Sequence, residues 1–374
     1  MTPTSTRITS LDGLRGVAAV VVVLHHTALI ARPELGSTTW SWLSQSPLKL
    51  TFAGTEWVLV FFVLSGLVVA LPAMRPGFSW VRYYPTRVLR IMLPVAGALV
   101  LAAALILLLP RDPSTMPEGS WMRNAQATDI TVASFLRELS LTPASYDINN
   151  VLWSLRWELF FSLLLPVFVL VAVLAARRPL AIAAIAAAAA GATVAGRVLG
   201  IDMLVYYPVF LLGALLATRL ESLRRIASIP RVRRLLPAVA VVAATMLVAS
   251  WLARPLVPSG TLLAHVLWGL AGIGAALIVA LAVSWPALDR TLDRPVVQWL
   301  GAVSFSLYLV HVPVLATVGY LVGSERWWLT ALIGIPLSLV VAALFRRVVE
   351  APSHRLAKAA GTRVSELAAV GVRV

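Results

Sequence analysis

The chain has no cysteine, and only 13% of its 374 residues are charged. Without thiols there is no thiolate nucleophile, no cysteine-ligated zinc, no iron–sulfur cluster and no disulfide. The charge deficit is equally restrictive, because soluble domains carry about 25% charged residues. A chain with half that and 60% hydrophobic residues is neither a soluble two-domain enzyme nor a disordered polymer. Lysine is nearly missing: of 31 cationic side chains only Lys49 and Lys358 are lysine. The net charge of +15 would suggest nucleic acid in a soluble protein. In an apolar chain it reads instead as a set of arginines holding loops on the cytoplasmic side. What the sequence has in abundance is long hydrophobic runs.

A membrane helix needs about 17–25 apolar residues. Ten runs approach that length, at 11–30, 55–74, 88–109, 151–175, 179–198, 203–218, 236–253, 261–284, 299–321 and 327–349. The fold class expected is an all-α polytopic bundle. With the N-terminus inside, the inner segments collect Arg7, Arg15, Arg75, Arg82, Arg87 and Arg90. They also take six arginines between Arg219 and Arg234 and the cationic C-terminal stretch to Arg373; the outer side keeps nine cations, among them Lys49, Arg111, Arg156 and Arg254. That bias predicts both termini in the cytoplasm and a multi-pass protein of the cytoplasmic (inner) membrane. The longest outer loop, 110–150, carries Pro110, Pro113, Pro117 and Pro143. It is long enough to cover a site, and a helical turn is expected within 131–141.

Ionisable side chains inside such spans are costly and are functional candidates by default. His25 and His26 interrupt the first run. Arg15 and His26 are eleven residues apart, about three turns plus 20°, which puts them on one helix face about 16 Å apart. Arg87 and Arg90 share a face at i, i+3 and suit phosphate oxygens as planar forks. Glu158 lies in the fourth run, in its expected outer third, at a depth where His26 is the natural partner for general-base chemistry. Ser304, Tyr308 and His311 form a polar stripe at i, i+4, i+7, equally suited to interhelical hydrogen bonds and to supporting a site. Ser65–Gly66 in the second run points to close helix packing. His265 and His354 stand alone and are assigned nothing. Transporters or flippases of glycans or lipid-linked substrates also keep arginines and histidines in helix bundles, and broken helices or internal repeats would favour that class.

LDGLRGVAAVVVVLHH, FFVLSG (61–66), YYPTRVLRIMLP (83–94), LWSLRWELFFSLLLP (152–166), FLLGALLA (210–217), LGAVSFSLYLVHVPV (300–314) and VEAP (349–352) occur in order along the chain. Together they resemble the membrane acyltransferase family 3 proteins over about residues 8–356. The resemblance implies an O-acyltransferase that takes an acyl group from acyl-CoA, expected to be acetyl-CoA. The acceptor it implies is a hydroxyl of a carbohydrate, glycolipid or secondary metabolite. It favours His26 over His25 and pairs it with Glu158 as the catalytic residues. Arg15, Arg87 and Arg90 fall on positions for the acyl-CoA, and Ser65, Trp153, Ser304, Tyr308 and His311 on supporting or substrate-binding positions. No metal and no nucleic acid are implied; the partners are the acyl-CoA, the acceptor and the lipid bilayer. The expected organisation is a transmembrane domain over 1–356 and a short cytoplasmic tail over 357–374, without the extracellular hydrolase-like domain that many members append.

Overall fold

The computed structural model describes residues 8–109 and 111–371. Arg7, Pro110 and Arg373 of the sequence argument lie outside them. Sixteen α-helices account for most of these residues, and no strand occurs among them. In chain order they are α1 (Thr9–Ser44), α2 (Gly54–Ala73), α3 (Trp80–Leu108), α4 (Trp121–Asn124), α5 (Val132–Leu139), α6 (Leu152–Leu163), α7 (Leu165–Ala176), α8 (Pro179–Leu199), α9 (Asp202–Ala217), α10 (Leu220–Ser228), α11 (Pro230–Leu252), α12 (Leu262–Ser284), α13 (Pro286–Leu292), α14 (Pro295–Val322), α15 (Trp327–Phe345) and α16 (Ala351–Gly371). Eight helical segments are long and apolar enough to cross a membrane, ten when each of two bent pairs counts as one span. The chain is a multi-pass membrane helix bundle.

The ends of these helices follow local chemistry. Proline opens α8, α11, α13 and α14, where its missing N–H would have had no partner and its fixed φ suits the first turn. Ser79 and Thr261 cap α3 and α12 by accepting from the backbone of Arg82 and Ala264. The expected turn in the outer loop is α5, closed by a capping box between Thr131 and Ser134.

Three expectations need correction. The first run does not stop at residue 30; α1 continues to Ser44 through a break at Gly36, whose φ of 70° is outside the helical region. The fourth run is not one straight span: α6 and α7 are bent by 67°. Pro166 lacks the N–H that would reach the Ser162 carbonyl. That carbonyl accepts instead from the Tyr83 hydroxyl at 3.0 Å, and the Leu163 carbonyl accepts from Tyr84 at 3.3 Å. The arginine-rich connector 219–234 is helical, comprising α10 and the start of α11, and α9 meets α10 at a second 67° bend. There Arg219 swings away to donate to the Ala176 carbonyl, satisfying the end of α7.

The helices form two compact units. The first comprises residues up to 22, 42–74 and 165–304. Its tightest contact is the crossing of α2 and α9. A Cβ built on Gly66 would overlap the Phe210 carbonyl oxygen, and one on Gly213 the Val63 carbonyl oxygen. Small residues let backbones meet where lipid offers helices no hydrophobic drive to associate. Gly66→Leu or Gly213→Leu is therefore expected to force the helices apart and destabilise the protein by at least about 1–3 kcal/mol, read as a lower Tm in detergent. An unchanged Tm in both would remove this crossing from the stabilising contacts.

The same unit buries a lysine. Lys49, 1% exposed in the short connection between α1 and α2, places Nζ 3.8 Å from the Trp251 ring centre and 4.5 Å from that of Phe52. Trp251 Nε1 donates to Glu56 Oε1 at 2.8 Å. Burial pulls the Lys49 pKa down to about 8, against the opposing pull of Glu56. Between pH 8 and the ordinary lysine value of 10.5 the unfolded chain holds more protons than the folded one, so stability rises with pH across that window. Wild-type Tm is expected to gain more between pH 7.5 and 9.5 than that of Lys49→Met. Equal pH slopes for the two proteins would refute the burial argument.

The second unit comprises residues 23–41, 75–164 and 305 to the C-terminus. Here α16 runs along α3, with Gly361 packed on the first turns of α3 at Arg82 and Thr86. A π-helical turn, Arg346–Glu350, joins α15 to α16.

Candidate active site

The second unit holds most of the chemistry. His26 on α1 and His311 on α14 are 7% and 0% exposed, and His311 Nε2 lies 3.1 Å from His26 Nδ1. His311 Nδ1 is 2.9 Å from the carbonyl oxygen of Leu307 one turn earlier. A carbonyl only accepts, so Nδ1 of His311 carries the proton. Nε2 of a neutral His311 is then an acceptor, and His26 Nδ1 must be the donor to it. One backbone carbonyl thereby fixes both tautomers and leaves Nε2 of His26 with its lone pair. That is the nitrogen a general base needs.

Glu158 is engaged elsewhere. Its Oε1 accepts from Arg87 at 2.7 Å, and Ser162 Oγ, one turn along α6, accepts from Arg87 Nε at 2.9 Å. That contact joins α6 to the N-terminal part of α3. The group placed on His26 Nδ1 is His311.

The rest of the stripe on α14 divides. Tyr308 and Ser154 share a hydrogen bond of 2.6 Å between their hydroxyls, joining α14 to α6. Ser304 bonds only within its own helix, to Gly301 at 2.8 Å, and belongs to the first unit. Above the histidines the loop after α3 is folded: the Trp121 ring centre lies 5.1 Å from that of His26. Tyr320 donates to the Met122 carbonyl at 2.8 Å, and Glu138 accepts from the backbone of Ile148 and Asn149 at 2.8 and 3.1 Å. Burial pushes the Glu138 pKa up, against those two amides.

The family description "acyltransferase domain" of acyltransferase family 3 matches residues 8–347. The chain belongs to that family. It is a membrane acyltransferase. No curated protein and no solved structure matches it significantly. The two broken spans, a feature transporters share, here belong to an acyltransferase.

The remaining sequence candidates of this acyltransferase fall in both units. Arg15 lies in the first unit, 3.5 Å from Asp12 on its own helix. Ser65 is buried on α2 in that unit, and Trp153 is half-buried on α6 in the second. Sequence reasoning passed over His354. Its Nε2 is 4.0 Å from Glu350 Oε1, whose other oxygen accepts from Ser306 Oγ at 2.5 Å. Arg87, Arg90 and Arg346 all act on His354 electrostatically, which makes this end of α3 and the π turn a cationic cluster. The signal available in sequence was VEAP together with the arginine pair before it; nothing in the spacing linked those residues to Arg90.

Proposed function

We propose that this protein moves an acyl group, expected to be acetyl, from acyl-CoA to a hydroxyl of a carbohydrate, glycolipid or secondary metabolite at the cytoplasmic membrane. The observation that carries the reading is the ordered pair His311–His26, in which the proton of His26 sits on Nδ1 and the lone pair on Nε2. In the proposed step His26 Nε2 takes the proton of the acceptor hydroxyl as its oxygen attacks the thioester carbonyl. The tetrahedral intermediate collapses with cleavage of the C–S bond, and the imidazolium returns the proton to the departing sulfur, giving an ester and free CoA. His311 holds the reactive tautomer and stabilises the imidazolium through Nδ1.

Arg87 and Arg90 are assigned to the CoA phosphates, with Arg346 extending the same positive field. Glu158 and Ser162 fix the orientation of the Arg87 guanidinium, whose planar fork suits phosphate oxygens. Arg15, eleven residues before His26 on α1, is assigned to the path of the acyl donor. With no cysteine in the chain, an acyl-thioenzyme is excluded, which fits direct transfer. The test is release of free CoA from acetyl-CoA by purified protein in proteoliposomes. It is joined to mass spectrometry of surface glycans, lipids and secreted metabolites from cells with and without the gene. Release dependent on His26 and a missing acyl mass in the deletion support the reading. No His26-dependent release from acetyl-CoA or a longer acyl-CoA would overturn it.

A further inference from the structure

In the first unit α10 lies where several spans end. Arg219 donates to the Ala176 carbonyl at the end of α7, at 2.8 Å, and Arg224 donates to the Val283 carbonyl in the last turn of α12, at 3.1 Å. The 67° bend before α10 ends α9, and Pro230 opens α11 directly after it. Ala227 of α10 packs in one apolar cluster with Leu236 and Ala243 of α11 and Leu281 of α12. Helix α10 therefore turns off the line of the spans at the level where they stop. Residues 219–234 hold six arginines and a single acid, Glu221. Arg219 and Arg224 are spent on the carbonyls just named. Arg225, Arg231, Arg233 and Arg234 are exposed.

Two of these arginines head a stripe on α11. Arg231, Arg234, Leu235, Ala238, Val241 and Val242 follow i, i+3, i+4, i+7, i+10, i+11 and share one helix face. The whole face is exposed; Leu235, Val241 and Val242 reach 60%, 66% and 52%. Cations occupy its first turn, and from Arg234 the apolar part runs about 12 Å along the axis. Keeping a loop on one side of a membrane calls for arginines but not for a particular face. A ligand covering this face must accept from guanidinium forks at one end and be apolar beyond them. A phospholipid has that form, with phosphate oxygens at its head and acyl chains below. A zwitterionic head brings its own cation and leaves the arginine excess in place, whereas a head of net negative charge offsets it. We propose that the face of α11 from Arg231 to Val242, at its corner with α10, binds an anionic phospholipid of the phosphatidylglycerol type. Such a site is independent of the acyl-transfer chemistry.

The full chain in a maltoside detergent is titrated with dioctanoyl phosphatidylglycerol and, separately, with dioctanoyl phosphatidylcholine, and bound lipid is read by native mass spectrometry. The anionic lipid is expected to bind at least about tenfold more tightly. Arg231→Gln combined with Arg234→Gln is expected to weaken it roughly 25-fold, about fivefold for each arginine, and to leave phosphatidylcholine binding unchanged. Arg231→Lys with Arg234→Lys keeps the charges without the forks and is expected to fall between that variant and wild type. Should the double glutamine variant lose Tm in detergent alone, Arg231→Gln by itself repeats the test, with a loss of about fivefold expected. Glycerol 3-phosphate, a head without chains, and polyglutamate, an acidic polypeptide, are expected not to displace the lipid at equal concentration. Equal affinity for the two lipids would overturn the proposal, and so would phosphatidylglycerol binding that the glutamine variants leave intact or a loss shared equally by phosphatidylcholine. Displacement by glycerol 3-phosphate would mean a site for free phosphate, and displacement by polyglutamate an acidic protein surface; either result overturns it as well.

Discussion

His26→Ala is expected to lower kcat/KM for acyl transfer by about 10²–10⁴-fold, the span that a positioned general base contributes, while the protein stays folded. The side chain is buried at the end of a hydrogen-bonded pair, so its loss also leaves His311 Nε2 without its acceptor role; a matched Tm measurement separates folding from chemistry. The more informative variants are at His311. His311→Gln keeps a carbonyl oxygen able to accept from His26 Nδ1 and an amide able to donate to Leu307, so most of the rate should survive. His311→Leu removes both contacts, and the His26 tautomer is no longer fixed. A loss of about a hundredfold in kcat with little change in the KM for acetyl-CoA is expected there, since what fails is proton transfer rather than binding. His25 lies next to His26 in an edge-on contact, ring centres 5.1 Å apart, and it is His26 that meets His311. His25→Ala is therefore expected to retain activity. Full transfer by His26→Ala, or equal rates for His311→Gln and His311→Leu, would sink the assignment.

These residues show where a sequence is readable. Apolar length located the membrane segments, because a bilayer imposes the same demand on every span, and each of the ten runs coincides with a helix or a bent pair of helices. The i, i+4, i+7 stripe on α14 put Tyr308 and His311 on one face, and both bond across helices, since a polar group in hydrocarbon must find a partner somewhere. For Glu158 the spacing did not show the partner, Arg87. A hydropathy window reads residues 151–175 as a straight rod. The break depends on Pro166 and on two tyrosine hydroxyls that rescue the freed carbonyls, and those tyrosines lie 79 positions away in sequence. The pair of histidines, 285 positions apart, was hidden for the same reason. Spacing reports which residues share a helix face, while the partner that face meets is decided by how the helices pack. The loop after α3 is the extreme case. Its length marked it as able to cover a site, but which of its polar groups bond to α14 became readable only from the packed helices.

The pairing of Arg87 with Glu158 gives the second large effect and a way to decide what Glu158 does. If the carboxylate serves Arg87, its neutralisation should be felt where the phosphates bind. Glu158→Gln weakens a charge-assisted bond of 2.7 Å and lets the guanidinium reorient. Such bonds contribute about 1.5–3 kcal/mol, which corresponds to a rise in the KM for acetyl-CoA of roughly ten- to a hundredfold. Arg87→Gln should do the same and more, because it removes the fork itself and leaves a half-buried carboxylate without its cation. The pH profile of kcat should keep its shape in both, because the base is His26 and the ion pair is assigned to the phosphates. The reciprocal change, Arg87→Glu with Glu158→Arg, restores an ion pair and should restore the Tm lost by either single reversal. It should not restore activity, because the cation then sits on α6 and no longer beside Arg90 on α3. The opposite pattern is equally specific. If Glu158→Gln left the acetyl-CoA KM alone, abolished kcat and moved its pH profile, the carboxylate would be acting on His26 after all. The ion pair to Arg87 would then be a resting contact that substrate phosphate displaces.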